Sequence, residues 1–552
     1  MKNRVKLSLL TAFIALATTA CKEDFLVEEP VNIIAPENLY INKSGFEAGL
    51  YGIYTLIRRE RGGIDAGYDR NTANDMFMTA AFIGVDNAYS PFPAGAQQPE
   101  RVFNTFGVTL NPAVPYISNI WSWLYQIINA TNSIIDRSNN PTIKWTETEK
   151  KQIVGEARLI RAWAYRHLTF LFGAVPLNLK ESSGNTIITD WERTPVATVR
   201  KTMEEDLLFA EENMVETPIN AARFPRAVAS HYLAELYLTI GDNLKAKQKA
   251  AAVVNNSLYK LITARYGVRK ALPGTPFTDM FIDGNSNRSE GNTEALYVLQ
   301  NEYLSPGAEI CLMRRWWVNR YDRIAVSSKT PVTFSIENGG RGIGRFGVTK
   351  YALGVYQTGD DRGSEHAWRL FWLMNNAASL PAGAKLGDTV KLSITGNEPL
   401  TNASTAQSWP NTRKWDWAPS VPADVQNTSN YNDIIYLRVA ETYLLLAEAQ
   451  MKLGELSEAA TTINALRNRA KATPITAAQV NLDFILDERS RELVTEEHRR
   501  YTLLRTGTWF NRTQKNNINA GPLITLRDTV LPIPQSVIDA NLTKPMPQNA
   551  GY

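Results

Sequence analysis

Two stretches far apart in this chain share one spacing. "LAELYLTIGDNLKAKQKA" begins at Leu233, and "LAEAQMKLGELSEAATTI" begins at Leu446. Both open on Leu-Ala-Glu. Both place glycine eight residues after that leucine (Gly241, Gly454) and alanine five residues further on (Ala246, Ala459). Small residues at such positions let two antiparallel helices approach closely, and glycine permits the tight turn between them. A chain with this spacing is constrained to helix pairs that bury one face against each other.

This is the pattern of a tetratricopeptide-like helix pair, but the copies are not in tandem. The region between them is mostly irregular, so the expected architecture is mainly α: a helical-repeat scaffold carrying a large loop-rich insertion with short strands. Helical periodicity is clear from Ser118 to Ser138, where Ile120, Leu124, Ile127, Ile128, Ile134 and Ile135 recur mainly at three- and four-residue spacing. A second helix is expected from Thr146 to Phe172, stopped by Gly173 and Pro176. Helical patterning covers about 118–256 and returns over about 434–505. Between about 265 and 430, Gly, Pro, Asn, Thr and aromatic residues rise, and apolar runs shorten to strand or loop length, as in "EALYVLQ" and "PVTFSI".

The start of the chain reads differently. Lys2, Arg4 and Lys6 precede an apolar run from Leu7 to Ala17. That run is shorter than the ~20 residues a spanning helix needs, and with the small residues before Cys21 it describes a secretory signal. Cleavage between Ala20 and Cys21 resembles processing of a bacterial lipoprotein, which makes Cys21 the lipidation site; Thr18 stands where such signals usually carry leucine. The expected organisation is a signal peptide over 1–20, a lipidated leader over 21–43, and one domain over 44–552. The other cysteine, Cys311, then has no partner within the chain for a disulfide. The 59 basic and 55 acidic side chains come close to balance once Lys2, Arg4 and Lys6 are removed with the signal. Such a balance argues against a nucleic-acid partner, which calls for a concentrated basic face.

Ordered segments carry a specific resemblance. "YLRVAETYLLLAEAQMKLG", "INALRNRA", "DERSRELVTEEHRRYTLLRTG", "LPIPQSVI" and "QNAGY" follow one another, and the N-terminal half supplies "GEARLIRAWAYRHLTFLFGAVPL" and "WLYQIINATN". Together they resemble the SusD/RagB family of Bacteroidetes outer-membrane lipoproteins. The resemblance implies a non-catalytic cell-surface protein that captures a glycan and passes it to a TonB-dependent (SusC-like) outer-membrane transporter, acting as its lid. It also implies attachment to the outer membrane through lipid at Cys21, with "CKEDF" similar to the family's surface-export signal. The same scaffold could bind a peptide or another nutrient; a glycan-cleaving enzyme is the more distant alternative.

No enzyme signature accompanies this resemblance. The four histidines have no zinc-site spacing, and Gly-x-Ser-x-Gly is absent. No cofactor is expected. "GIGRFG" (Gly342 to Gly347) matches a dinucleotide fingerprint only in its glycines and is read as a surface loop. "DGNSNRSEGNTE" is a weak calcium candidate through Asp283, Asn285, Asn287, Ser289 and Glu294, because Arg288 occupies the position where such a loop needs glycine. In "DERSRELVTEEHRR", Glu496 is read as part of an ion-pair network fixing helix packing, not as a catalytic carboxylate.

A sugar presents an apolar C–H face and a polar rim, so its site needs flat aromatics with amide, carboxylate or guanidinium neighbours. "RRWWVNRYDR" offers Arg314, Trp316, Trp317, Asn319, Arg320 and Tyr321, and those arginines could equally hold a carboxylate. "EHAWRLFW" adds Trp368 and Trp372, and "AAFIGVDNAYSPF" adds Phe82, Asn87 and Tyr89. The adjacent pair Trp316–Trp317 with Tyr321 is the first choice for an exposed platform, and Trp415 and Trp417 are read as core.

Overall fold

The computed structural model describes residues 35–63, 77–91, 99–303, 311–391, 409–417, 425–426 and 431–552. The signal segment and Cys21 lie outside these residues.

Helix α1 (Pro36–Leu39) leads into α2 (Lys43–Gly62), α3 (Pro115–Arg137) and α4 (Glu147–Phe172). α2 was not expected from the sequence, although Phe46, Leu50, Ile53 and Ile57 supply a buried stripe at helical spacing. α3 starts with Pro115 at a position where the missing N–H costs nothing, and its predicted isoleucine and leucine face is buried, fully so except at Ile135. α4 opens on a capping box. Glu149 N–H donates to the Thr146 hydroxyl (3.2 Å), and Thr146 N–H donates back to the Glu149 carboxylate (2.8 Å).

α5 (Val196–Asn213), α6 (Arg226–Ile240) and α7 (Asn243–Val254) follow. After the insertion come α8 (Val439–Lys452), α9 (Leu456–Arg469), α10 (Leu482–Leu493) and α11 (Arg499–Arg505). The two repeated stretches form the pairs α6–α7 and α8–α9. Their turns place Gly241 at φ +86° and Gly454 at φ +80°, a left-handed conformation that favours glycine. Ala246 and Ala459 are fully buried at the helix contacts. α8 packs on both α6 and α7, so the two distant copies stack side by side and the intervening residues are extruded as the insertion. The shared glutamates serve the same end in both copies. Glu235 accepts two bonds from Arg166 of α4 (2.5 and 2.7 Å), and Glu448 accepts two from Arg505 of α11 (2.5 and 2.7 Å).

Four antiparallel two-stranded pairs occur among the described residues, each with at least one strand in the insertion. β1 (Ala88–Tyr89) pairs with β3 (Gly347–Val348), and β2 (Ala295–Leu299) with β8 (Ile434–Arg438). β4 (Trp368–Arg369) pairs with β7 (Asn411–Thr412), and β5 (Phe371–Leu373) with β6 (Thr389–Lys391). The "EALYVLQ" strand is therefore present as β2. Two readings are corrected. Ile434 to Arg438 is a strand buried on both faces, where helical periodicity was expected; its apolar run suits strand β2's partner, and α8 begins only at Val439. "PVTFSI", short enough for a strand or a loop, is loop. "GIGRFG" is not a surface loop: Gly344 to Gly347 are buried, and a Cβ on Gly342 would lie 1.8 Å from the Val318 carbonyl oxygen. One large core runs through the scaffold into the insertion, and a smaller one, with Val318, Tyr321, Val332 and Trp372, lies within the insertion.

Candidate functional site

The insertion is fastened to the scaffold by buried charge. Arg438, at the end of β8, donates to Glu496 (2.7 Å), Glu492 (3.0 Å) and Glu294 (2.9 Å). Arg469 of α9 also bonds Glu294 (2.8 Å) and Glu492. From the insertion, Arg362 reaches Glu488 (2.8 Å) and Glu492 (3.1 Å), and Lys414 bonds Glu496. Burial alone would raise the Glu496 carboxyl; Arg438 and Lys414 override it and hold it below the ordinary carboxylate range. Burial would likewise raise Glu492, and Arg469, Arg438 and Arg362 together keep it ionised. The ion-pair reading of Glu496 thus holds, with the network fully buried where partial burial was expected.

That network also disposes of the calcium candidate. Glu294 is taken by two arginines and the Ile262 N–H. Asn285 accepts from Val268 N–H and donates to the Asp279 carbonyl, while Asn287 donates to Asp433 and accepts from Gln300. Burial and Glu290 raise the Asp283 carboxyl above its ordinary value. Three of the five candidate ligands, Asn285, Asn287 and Glu294, are thus already committed to hydrogen bonds and ion pairs within the fold.

A second titratable cluster lies in the core. Glu60, His167 and His498 bring their ligand atoms within 4.8 Å of one another. These three could supply a metal's donor set, but Arg166 donates to His498 (3.3 Å), and Arg61 lies 3.5 Å from Glu60. Two guanidiniums make the spot hostile to a further cation. Burial pushes the His167 ring well below its ordinary pKa and lowers His498 as well. The cluster is neutral-histidine packing, with Tyr436 and His498 both bonded to Glu60 (2.6 and 2.5 Å).

The predicted sugar platform is corrected by burial. Trp316, Trp317 and Tyr321 are at most 2% exposed. Trp316 packs on Phe346 and Phe82, Trp317 on Phe346, and Tyr321 stacks on Trp372 and donates its hydroxyl to the Gly340 carbonyl (2.7 Å). Phe82, Tyr89, Asn87, Asn319, Arg314 and Trp368 are buried too. Asn87 donates to Ser490, Asn319 to the Trp409 carbonyl, and Trp368 to the Arg362 carbonyl (3.0 Å). Arg320 is half-buried, turned back onto Asp322 (2.9 Å). The adjacent tryptophans are buried together because both rings of the short helix Met313–Trp317 meet Phe346, with Phe82 also against Trp316. These aromatics build the insertion's interior.

The aromatic surface of the insertion lies elsewhere. Tyr303 is 46% exposed and meets Tyr431 edge-on, with ring centroids 4.8 Å apart. Nearby, half-buried Trp417 is flanked by two guanidiniums, Arg413 at 4.7 Å and Arg269 at 4.9 Å from its ring centre. Trp415 is core as expected, bonded to Thr495, whereas Trp417 is not. Amides hold these rings in place. Asn432 donates to the Trp417 carbonyl (3.0 Å), Asn301 donates to the Asn432 carbonyl (2.7 Å), and Asp433 accepts from the Asn301 N–H (2.7 Å). Flat rings, guanidiniums and amides on one stretch of surface are the chemistry that meets a sugar ring's two kinds of face. Tyr303 in "QNEYLSPG" and Tyr431 in "NTSNYND" could have been found as aromatics isolated among polar residues.

Stacked helix pairs interrupted by a loop-rich insertion that bears such a surface define a helical-repeat binding protein. Two family descriptions narrow that class: the SusD family model matches residues 283–552, and one described as "Starch-binding associating with outer membrane" matches residues 99–238. The chain belongs to the SusD/RagB family. A SusD-like protein of Formosa agariphila, P2, is 26% identical over 560 residues, covering 98% of this chain and 99% of its own length. Among solved structures, a laminarin binding SusD-like protein superimposes with a TM-score of 0.66 at 20% identity, over 93% of this chain and 100% of that one. NanU of B. fragilis superimposes with a TM-score of 0.70 at 20% identity, over 95% and 100% respectively. Both share the fold of this chain.

Proposed function

We propose that this chain is a non-catalytic, cell-surface glycan-binding protein that hands its ligand to a TonB-dependent outer-membrane transporter and covers that transporter as a lid. The observation that carries the reading is the Tyr303–Tyr431–Trp417 surface, placed on the insertion of a SusD-family scaffold. The laminarin binding relative supports a glycan as the ligand class. Among the described residues of this surface, the Asp433 carboxylate is engaged by Asn301 and Asn287.

Isothermal titration of the mature chain against a polysaccharide panel, with analysis of products, tests this. Saturable binding without released oligosaccharide is the expected outcome, and released product overturns the non-catalytic reading. Trp417→Ala should weaken glycan binding roughly tenfold or more, since 1.4 kcal/mol corresponds to a factor of ten and stacked aromatics contribute at about that level. Thermal unfolding should fall by less than binding does, because the ring is half-buried at the edge of the main core. Binding confined to peptides would instead favour the arginine pair as a carboxylate clamp.

Cys21 is the proposed anchor. Stable attachment to a bilayer takes more than one acyl chain or a second membrane signal, which a lipidated N-terminal cysteine provides. Cys21→Ser should move the protein from the outer-membrane fraction to the soluble fraction. Retention of the variant at the cell surface would remove the lipoprotein assignment.

A further inference from the structure

A groove of about 590 Å³ lies between α3, the loop of residues 182–191 and the segment 536–546. It shares no lining residue with the Tyr303–Tyr431–Trp417 surface. Its volume falls within the ~300–1,000 Å³ of small-ligand sites. Flat rings line it. Trp121 and Tyr125 come from α3, their ring centroids 5.1 Å apart, and half-buried Trp191 comes from the end of the loop. The walls are tied together without a ligand. Ser182 N–H donates to the Asn129 amide oxygen (2.7 Å), and the Asn129 amide donates back to the Ser182 carbonyl (3.3 Å). Trp191 N–H donates to the Asn541 amide oxygen (2.8 Å), and Asn541 donates back to the Trp191 carbonyl (2.7 Å). Helix, loop and C-terminal segment are therefore held in place, and binding there carries little ordering cost.

The lining keeps hydrogen-bonding capacity but holds no charge. The Asn178 side-chain oxygen accepts from the Lys180 N–H (3.1 Å), while its amide N–H groups have no partner among the described residues. The Ser182 and Thr189 hydroxyls are equally unspent there. None of the described lining residues is charged. The charges that flank them in sequence are matched elsewhere: Lys180 with Asp136 (3.2 Å), Glu181 with Arg137 (2.7 Å) and Glu192 with Lys544 (2.9 Å). Asp190 accepts from the Thr543 N–H (2.9 Å). An anionic sugar entering this groove would lose water without gaining a cation. An uncharged sugar meets rings and the exposed aliphatic Ile187 and Ile188 with its C–H faces, and neutral amide and hydroxyl groups with its rim. The Trp417 surface has the opposite character, with Arg413 and Arg269 on its ring.

We infer that this groove is a second carbohydrate site, selective for a neutral oligosaccharide. The inference rests on the glycan reading of the chain but not on the Trp417 surface, so the two sites can fail separately.

The test is isothermal titration of the mature chain carrying Cys21→Ser. The probes are neutral hexaoses (malto-, laminari-, cello-, xylo- and manno-) and, as the anionic comparison, an oligogalacturonate. At least one neutral hexaose should bind with a component that survives Trp417→Ala. Trp191→Ala should weaken that component roughly tenfold or more, the scale of a lost aromatic stack. Thr189→Arg, at an exposed position, should weaken it as well by filling the groove, and its thermal unfolding midpoint should match that of the parent chain. This second variant keeps the result readable if loss of the Trp191 ring disturbs the fold. Neutral binding untouched by both groove variants would overturn the inference and leave the glycan reading standing. Oligogalacturonate binding that is lost in both groove variants and kept in Trp417→Ala would overturn the neutral class. Failure of every sugar to bind would overturn the glycan reading and this inference with it.

Discussion

Glu492→Ala is expected to cost about 3–5 kcal/mol of folding stability, the range for removing one partner of a buried ion pair. The reason is the number of cations the carboxylate serves. Glu492 accepts from Arg362 of the insertion (3.1 Å), from Arg438 at the end of β8 (3.0 Å) and from Arg469 of α9. All four side chains are wholly buried, so its loss strands positive charge that no water can reach. Because Arg362 and Arg469 lie on different sides of the seam, the lesion should loosen the insertion from the repeats. Urea unfolding followed by circular dichroism would show a lower midpoint. Unfolding that also splits into two transitions would identify the network as the joint between the two parts. A loss under about 1 kcal/mol would mean that water reaches the cluster and that the network contributes no more than surface pairs do.

Acid should destabilise the fold in two stages. Burial lowers His231 from 6.5 to about 3, and His167 also lies well below its ordinary value. Burial would raise Glu235 and Glu448, yet Arg166 and Arg505 respectively bring each carboxyl down to about 2. All four groups have folded pKa values below their unfolded ones, so the unfolded chain binds more protons and stability falls as pH falls. The histidine contribution is complete above about pH 6.5 and is lost progressively below it, down to about pH 3 for His231. The glutamate contribution adds its loss between about 4.5 and 2. At about 1.4 kcal/mol per pH unit for each group, several kcal/mol disappear before pH 4. Urea midpoints at pH 7.5, 5.5 and 4 should decline at each step and more steeply over the second. A flat profile from 7.5 to 5.5 would show that the buried histidines are solvated or already charged in the fold.

The elements that could be read from the residues are those that depend on near neighbours. The Leu-Ala-Glu…Gly…Ala spacing, the isoleucine stripe of α3 and the Thr146–Glu149 cap act within a few residues of each other, and each appears where its pattern lies. β2 was legible for the same reason. "IIYLR" was not, because a short apolar run next to a helix is ambiguous until its partner strand is known, and that partner lies across the insertion at Ala295 to Leu299.

The site shows the same division more sharply. Composition and pattern placed the aromatic supply in the insertion, but exposure is a sum over atoms from everywhere in the chain. Trp316 and Trp317 were buried by Phe346 and by Phe82, the latter more than two hundred residues earlier, while Trp417 was left half-open between two arginines. Glu294 fitted the last position of a calcium loop until Arg438 and Arg469, 144 and 175 residues away, arrived to claim it. Helix, turn and repeat are written in local spacing and could be known from the chain alone. Which ring meets solvent and which carboxylate meets arginine depended on long-range packing, because burial and charge pairing are properties of neighbours that only folding brings together.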